Sequence, residues 1–463
     1  MSAFAANDAT AATLCRLCHH ARFATSRTAE LPMPVLSPDS DTQIATLSNG
    51  VRVLTLHTPH LATAAVSVFV QSGSQNESAR QSGISHVVEH MAFKGTAGRD
   101  CQQINLDAER LGAEVNAHTD KDHTAFHMRG MARHGPDFIR MLGDIVLHST
   151  FPEAELERER QVILQELAED DDDALSTAFR LFDKACYAEH PVARPVIGNR
   201  RNIQRFTRVE LVDYVAQHYS GTNLIVGVAG DVDPQQVLRA AEAAFGGMPA
   251  GAVNTVAPVN FVGGLGAKRL AGVSQSHLVL GFPVPALGQD HHSALVAAAL
   301  FGEGMSSPLL DQIRERRGLV YHAACSADVS ALCGQMVIEA STSPEHVDAF
   351  FTEVTRLLTE HASSTDAVGL ERARNQLIVR SLCQDEQPVR RLESAALELY
   401  ALGRVRSRAE QIAQIEAVTA AQVRHAFAQM LGDGAAVALA GKFTKGTEDR
   451  VRTVLSGGGI RVG

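Results

Sequence analysis

Residues 83–96 read GISHVVEHMAFKGT, in which His86 and His90 stand four positions apart with Glu89 between them. On an α-helix, residues i and i+4 project from one face, and residue i+3 lies close to that face. Two imidazoles placed in this way can reach one metal ion at about 2.0–2.1 Å. The same residues can also form the polar rim of an ordinary helix. A catalytic metal site further requires a third protein ligand and an open coordination position.

A second segment offers candidates for the third ligand. Residues 151–169, FPEAELERERQVILQELAE, have Pro152 near their start and an apolar stripe at helical spacing, which predicts a helix with one buried face. Glu159 and Glu166 are about two turns apart and share a face of this helix. Because carboxylates on such helices are commonly solvated, the spacing alone leaves both roles open.

The chain also resembles itself. Three pairs of segments occur in the same order at nearly constant offsets of 214, 212 and 211 residues: LERERQVILQE (156–166) with LERARNQLIVR (370–380), NIQRFTRVEL (202–211) with QIEAVTAAQV (414–423), and VGVAGDV (226–232) with VALAGKF (437–443). Each similarity is weak alone, but their common order and spacing predict two copies of one α/β unit.

The second copy lacks the polar residues of the first. Arg380 is the counterpart of Glu166, Ala373 is that of Glu159, and SALVAAALFGEG (293–304) replaces the segment with the two histidines. All the candidate ligands disappear together, as expected if they form one site in the first copy alone.

The domain boundaries follow from length and composition. A chain of 463 residues is too long for one typical core. Glycine, proline and alanine accumulate where the copies meet. We expect an N-terminal extension (1–41), a first repeat with the candidate metal site (42–245), a linker (246–266) and a second repeat (267–463).

Local patterns predict the fold class. Residues 43–56, QIATLSNGVRVLTL, read as a hairpin around Asn49-Gly50, a pair that favours a type I′ turn. Residues 63–73, TAAVSVFVQSG, alternate like a half-buried strand. Long helices beside such strands predict an α+β fold of two homologous α/β sandwich domains, with helices packed on mainly antiparallel sheets.

Composition restricts the classes of partner. The net charge of −10, with scattered basic residues, argues against a nucleic-acid surface. No apolar run approaches the ~20 residues of a membrane helix. The seven cysteines are odd in number and widely spread, which favours a reducing compartment.

The N-terminal extension permits several interpretations. Its arginines, serines and threonines without acids, in residues 9–29, are loosely typical of an organelle transit peptide. A bacterial extension on a cytoplasmic protein is the favoured alternative, and a mitochondrial matrix location would follow from a transit peptide. Cys15, Cys18 and His19 match the C-x-x-C-H haem-attachment pattern, which we interpret as incidental.

Taken together, the motifs resemble those of the inverted-zincin metallopeptidases, a family that includes pitrilysin, insulin-degrading enzyme and mitochondrial processing peptidase. The resemblance covers roughly residues 42–445. The segments that carry it are TLSNGVRVL (46–54), GISHVVEHMAFKGT (83–96), LGAEVNAHTDKDHTAFH (111–127), ERERQVILQEL (157–167) and GEGMSSPLLDQIRERRGLVY (302–321).

The resemblance implies a role for each candidate in the first repeat. His86, His90 and Glu166 would bind one Zn²⁺ per chain, and Glu89 would be the general base in peptide-bond hydrolysis. Glu159 would orient a ligand by hydrogen bonding, as carboxylates beside metal sites commonly do.

The resemblance also implies substrate-binding residues. Arg314 and Tyr321, on the repeat that faces the zinc across a chamber in relatives, would hold the substrate carbonyl and stabilise the oxyanion. Asn116 and Ala117 would lie on an edge strand that pairs with an extended substrate. The nearby histidines lie outside the family's ligand set, and we expect them to be solvated or structural: His118, His123 and His127.

The expected function is zinc-dependent endopeptidase activity on peptides or unfolded segments within a dimeric chamber. A homodimer is expected because one chain carries both sets of motifs, and a heterodimer with a related subunit is the alternative.

A second hypothesis is a non-catalytic scaffold or core subunit of the same fold. The glycine-rich loop of the non-catalytic processing-peptidase subunit is absent, because FGEGMSS (301–307) is short. The acidic residues 169–173 could attract basic peptides or simply be a solvated helix end.

Overall fold

The computed structural model describes residues 35–36 and 41–463, which form two β-sheets covered by helices. The first sheet contains β1 (Val35–Leu36), β2 (Thr42–Thr46), β3 (Arg52–His57), β4 (Thr63–Val70), β5 (Glu114–Thr119), β6 (Thr124–Met131) and β7 (Leu224–Gly230). The second sheet contains β8 (Gly264–Arg269), β9 (Ser276–Val284), β10 (His322–Val329), β11 (Gly334–Thr342) and β12 (Ala436–Gly441).

The helices fall into two series that correspond to the two repeats. The first series is α1 (Ile84–Ala92), α2 (Cys101–Arg110), α3 (Gly135–Leu147), α4 (Glu153–Asp172), α5 (Ala174–Tyr187), α6 (Arg200–Arg205), α7 (Arg208–His218) and α8 (Pro234–Phe245). The second series is α9 (His292–Gly302), α10 (Val347–Ser363), α11 (Ala367–Asp385), α12 (Pro388–Leu402), α13 (Arg408–Ala417), α14 (Ala420–Asp433) and α15 (Thr447–Gly457). Shorter helical turns are Ser74–Asn76, Ala132–His134, Pro191–Ala193, Gly221–Asn223 and Pro344–His346, with a π-helical turn at Leu309–Glu315.

Both sheets are mainly antiparallel. The strand orders are β1-β2-β3-β7-β4-β6-β5 and β10-β11-β9-β12-β8. One parallel pair occurs in each sheet, β3 with β7 and β12 with β8. The predicted α+β class with mainly antiparallel sheets is therefore confirmed.

The predicted duplication is confirmed by the order of the elements. In each repeat a helix, two paired strands, a series of helices and a central strand follow one another in the same sequence. The equivalent helices α7 and α14 even begin alike: Thr207 and Glu210 form a capping box, as do Thr419 and Gln422. In both, the side chains at the N-cap and the third helical position satisfy backbone N–H groups that the helix itself leaves free.

Each repeat places one helix on the other repeat's sheet. Helix α12 packs on β4 and β7, where Leu392 and Leu399 join a core with Leu54, Phe69 and Ile225. Helix α5 packs on β8, β9 and β12 in a separate core. Each sheet is thus buried on one face by its own repeat's helices and on the other by an exchanged helix.

This exchange corrects the interpretation of residues 63–73. The alternation predicts a half-buried strand, but β4 is buried on both faces. Val66 and Val68 face the core of the first repeat, whereas Ala65 and Phe69 face α12. The local pattern cannot report a covering helix that lies more than 300 residues away along the chain.

The predicted hairpin of β2 and β3 is present, but its predicted type I′ turn is wrong. The turn closes with a hydrogen bond from the amide of Gly50 to the carbonyl of Leu47. Gly50 has φ +91°, whereas Asn49 is not among the residues with positive φ, which a type I′ turn requires. The Asn49 amide instead donates to the carbonyls of Phe245 and Met248, and this tertiary contact fixes the turn.

The remaining expectations concern the ends of the repeats. The segment 246–263 contains no strand or helix, and β8 begins at Gly264. No helix in the described part of the chain combines the length and apolar character needed to cross a membrane. The C-x-x-C-H pattern lies outside the described residues, as does most of the predicted extension (1–41). The division into domains at these boundaries stays a prediction.

Candidate metal centre

The helix that carries the two histidines, α1, is held at its N-terminus by a buried carboxylate. Glu77 accepts hydrogen bonds from the backbone amides of Gly83 and Ser85, both at 2.8 Å. Gly83 has φ +97° and lies against Gly198, where a Cβ on Gly83 would stand 2.9 Å from the Cα of Gly198. These contacts fix the start of α1, and hence the direction in which its histidines project.

The residues of the H-x-x-E-H pattern converge as predicted from their spacing. Ligand atoms of His86, Glu89 and His90 lie within 4.8 Å of one another. Helix α4 packs beside α1 and brings Glu166 to the same place. The Oε2 atom of Glu166 is 3.8 Å from Nε2 of His86 and 3.5 Å from Nε2 of His90. Two imidazoles and two carboxylates therefore surround one point.

Glu159 lies on the far side of one imidazole from this point. Its Oε2 atom is 3.2 Å from Nδ1 of His90, and its Oε1 atom is 2.7 Å from Nζ of Lys94. A carboxylate on Nδ1 holds the proton at that nitrogen and leaves the lone pair of Nε2 directed toward Glu166. Glu159 therefore contacts His90, and the orienting role expected of it stays a prediction.

Burial shifts the pKa values of two side chains in the site. It lowers the pKa of His86 to about 4, with a further contribution from His90, so the imidazole is neutral at pH 7. Burial raises the pKa of Glu89 above its ordinary value. The hydroxyl of Thr119, on β5, donates to Oε2 of Glu89 at 3.2 Å. A neutral imidazole and a partly desolvated carboxylate are the forms needed for a metal ligand and a proton acceptor.

The residues present fit a zinc ion. Two imidazoles and a carboxylate are a common donor set of catalytic zinc. Nδ1 of His86 is buried and has no hydrogen-bond partner among the described residues, which leaves this ring less constrained than that of His90. The arrangement offers His86, His90 and Glu166 as ligands and leaves Glu89 beside them, but the assignment of these roles stays a prediction.

Asn116 and Ala117 lie where an extended peptide could pair. Both are on β5, which forms one edge of the first sheet. The amide of Ala117 donates to the side-chain oxygen of Asn116 at 2.8 Å and not to β6. The Ala117 amide therefore faces the free edge of the strand.

Arg314 and Tyr321 lie apart from this cluster. The side chain of Arg314 is 41% exposed and contacts Glu315 and Met305. Tyr321 is 81% exposed. Within the residues that the structure describes, neither side chain has a hydrogen bond or ion pair with the H-x-x-E-H residues.

Three contributors were not identified from the sequence: Glu77, Lys94 and Thr119. Glu77 and Lys94 have no motif spacing that marks their contacts. The alternation of NAHTD does offer a signal for Thr119, since it shares a strand face with Ala117, which packs against the core next to α1.

The acidic run at the end of α4 is largely used within the protein. Arg180 pairs with Asp170 at 2.5 Å and with Asp171 at 2.9 Å. Asp173 caps α5 by accepting from the amides of Leu175 and Ser176. These contacts favour a structural role for the run over attraction of basic peptides.

Comparison with known proteins gives consistent matches. The family model described as "Insulinase (Peptidase family M16)" matches residues 52–200, and "Peptidase M16 inactive domain" matches residues 205–377. An uncharacterized zinc protease of Rickettsia felis is 30% identical, over 78% of this chain and 88% of that protein. The mitochondrial-processing peptidase subunit beta of Mus musculus is 31% identical, over 85% of this chain and 83% of that protein. The crystal structure of a protease from Helicobacter pylori has the same fold, with a TM-score of 0.81 and 21% identity over 87% of this chain and 99% of that one.

Proposed function

The chain belongs to the insulinase family of peptidases, M16, and on this basis we propose that it is a zinc-dependent endopeptidase acting on peptides or unfolded segments. One observation carries the proposal: helices α1 and α4 bring His86, His90 and Glu166 together, with Glu89 beside them. A purely structural helix pair has no need to bury these groups in mutual contact, because desolvating them costs free energy.

The proposed mechanism assigns a role to each side chain. His86, His90 and Glu166 hold one catalytic zinc per chain, and Glu159 keeps His90 in the ligating tautomer. Zinc bound there supplies Lewis acidity, which makes water a nucleophile near neutral pH. Glu89 accepts the proton of the attacking water and returns it to the leaving amine. The Thr119 hydroxyl orients the Glu89 carboxylate for both transfers.

The substrate carbonyl is held by Arg314 and Tyr321 of a second chain. Both side chains are exposed and make no contact with the H-x-x-E-H residues of their own chain, so they are available to a partner. We propose a homodimer in which each chain completes the other's site inside an enclosed chamber. The similarity to a processing-peptidase subunit makes a heterodimer with a related chain the alternative.

The activity is tested by digesting a peptide library with wild type and with Glu89→Gln, each with and without a chelator. Loss of a general base typically costs 10²–10⁴-fold in rate, so Glu89→Gln should be nearly inert while still binding zinc. Glu109→Gln, a matched change on the exposed face of α2, should retain activity. The cleavage sites in the library also report the substrate preference.

A different result would indicate the scaffold alternative. If wild type cleaves no peptide and Glu89→Gln and wild type are indistinguishable, the endopeptidase proposal is wrong. Absence of stoichiometric zinc after zinc supplementation would point in the same direction.

Sharing of sites between chains is tested by mixing Glu89→Gln with Tyr321→Phe. If dimers form at random from equal amounts, half are mixed and each has one intact site, so activity should recover to about a quarter of wild type. Each variant alone should be slower by about 10²-fold or more, the usual cost of a lost catalytic base or oxyanion donor. A mixture no more active than its separate components would contradict sharing.

A further inference from the structure

A second group of metal-binding side chains lies on the opposite face of the first sheet. His118 is on β5, His123 is in the turn to β6, and Glu393 is on α12 of the second repeat. Their ligand atoms lie within 4.8 Å of one another. Ala125, which pairs with His118 in the β5–β6 ladder, packs in the core beneath α12, whereas Thr119 faces Glu89. The group therefore lies on the face of β5 opposite to Thr119 and Glu89, although the charge of His118 still acts on Glu89.

The three ligand atoms have the spacing of a tetrahedral site. Nε2 of His118 is 3.1 Å from Oε1 of Glu393 and 3.3 Å from Nε2 of His123. Nε2 of His123 is 3.5 Å from the same Oε1 atom. In tetrahedral zinc coordination with bonds of about 2.0–2.1 Å, the ligand atoms are about 3.3 Å apart. All three edges of this triangle are close to that value.

The carboxylate of Asp122 holds the nitrogen of His123 that points away from the other two ligand atoms. Nδ1 of His123 lies 2.7 Å from Oδ1 of Asp122. Because a carboxylate only accepts hydrogen bonds, Nδ1 carries a proton, which leaves Nε2, on the side of Glu393, as the nitrogen that can bind a metal ion. The same carboxylate–histidine contact accompanies most metal-binding histidines, and Glu159 makes it with His90 in the first site.

A cation between the three ligand atoms would contact all of them at once. A lone pair on Nε2 of His123 directed at the Glu393 carboxylate is unfavourable unless a proton or a metal ion lies between them. Protons on the two imidazoles can each bridge to Oε1 of Glu393, but they leave the 3.3 Å contact between the two Nε2 atoms without a hydrogen bond. One divalent ion at the centre satisfies all three atoms.

The surroundings already favour positive charge. Three acidic side chains lie close to His123: Asp122, Glu393 and Asp120. His123 is only 1% exposed, whereas the side chains of His118 and Glu393 are 35% and 30% exposed, so an ion can enter from solvent. Imidazole and carboxylate donors together suit zinc among the divalent metals.

We propose that His118, His123 and Glu393 bind a second zinc ion, which has a structural role and clamps edge strand β5 to helix α12. His118 and Glu393 are 275 positions apart, so the ion links the two repeats. It also steadies the strand that carries Asn116 and Ala117. The second site uses none of the residues of the proposed peptidase mechanism, and it gives a specific form to the structural role that was one expectation for His118 and His123.

The test measures zinc in the full-length chain after removal of metal and reconstitution with Zn²⁺, by elemental analysis. Wild type should bind two zinc ions per chain, and Glu393→Gln and His118→Phe should each bind one. A background variant with His86→Ala and His90→Ala lacks the first site and should also bind one. Adding Glu393→Gln to that background should abolish binding, together with the rise in melting temperature that zinc produces.

Glu386→Gln, an exposed glutamate on the adjoining turn, is the matched control and should bind two ions. The second site would be overturned if wild type and Glu393→Gln both bound one zinc ion per chain. It would also be overturned if the background variant with His86→Ala and His90→Ala bound no zinc. If the background variant fails to fold, the ion counts of wild type and Glu393→Gln still decide the question. A protonated ion-pair cluster without metal predicts that Glu393→Gln lowers stability equally with and without Zn²⁺, and that result would also overturn the proposal.

Discussion

The carboxylates around α1 have different surroundings, and the proposed mechanism gives them different roles for this reason. Glu159 is buried between His90 and Lys94, Glu166 approaches both imidazoles, and Glu89 is desolvated beside Thr119. The spacing of these residues along the sequence is helical in each case. Only the contacts of each oxygen distinguish an orienting group from a ligand or a base.

Glu159→Gln should weaken zinc binding at the first site by roughly 10-fold or more, because the amide keeps the shape of the carboxylate but removes the charge that orients and polarises His90. The measurement is chelator competition in a Glu393→Gln background, so that only one class of site is titrated. Glu153→Gln, at the exposed start of the same helix, is the control and should bind like its parent. Equal zinc affinity in Glu159→Gln would show that the contact with His90 is incidental.

At the scale of elements, β5 connects the two candidate sites. Thr119 on one face contacts Glu89, and His118 on the other contacts Glu393. Among the described strands none pairs with its outer edge, and the amide of Ala117 faces that edge. An extended peptide could add to this edge by backbone hydrogen bonds, the usual mode of strand addition.

Ala117→Pro tests this mode of binding. Proline removes the outward N–H but no hydrogen bond of the β5–β6 ladder, and edge strands tolerate proline at such positions. We expect kcat/KM for peptides to fall about 5-fold through a higher KM, since one net hydrogen bond to substrate is worth about 1 kcal/mol. Ala117→Val keeps the N–H and should bind peptides normally. An unchanged KM in the proline variant, with its melting temperature preserved, would exclude pairing at this edge.

At the scale of the whole molecule, the exchange of helices makes the repeats mutually dependent. The face of the first sheet toward α12 contains Leu54, Phe69 and Ile225, which would be exposed without that helix. The hydroxyl of Tyr400 on α12 donates to the carbonyls of Phe69 and Asn223 within the first repeat. The described residues from 42 onward should therefore unfold together.

Leu392→Ala should lower stability by about 2–5 kcal/mol, because Leu392 is fully buried on the side of α12 that faces β7. Calorimetry should show one transition that moves as a whole to lower temperature. Leu106→Ala, at a half-exposed leucine on α2, should leave the temperature of this transition nearly unchanged. Two transitions of which only one moves would mean that the repeats are independent folding units.

Much of this protein follows from sequence because the informative relations are local. His86, Glu89 and His90 share one helix turn, Glu159 and Glu166 share one helix face, and helical periodicity alone relates them. The duplication is visible because copied segments keep their order and spacing. The family, the fold class and the candidate ligands could therefore be predicted before any coordinates.

Tertiary structure decided what no local period encodes. The turn at Asn49 depends on the distant carbonyls of Phe245 and Met248, and the burial of β4 depends on a helix of the other repeat. Glu393 meets His118 and His123 only because α12 crosses to the first sheet. Contacts across hundreds of residues arise from which surfaces can bury one another, and a single sequence records them only as separate apolar and polar positions.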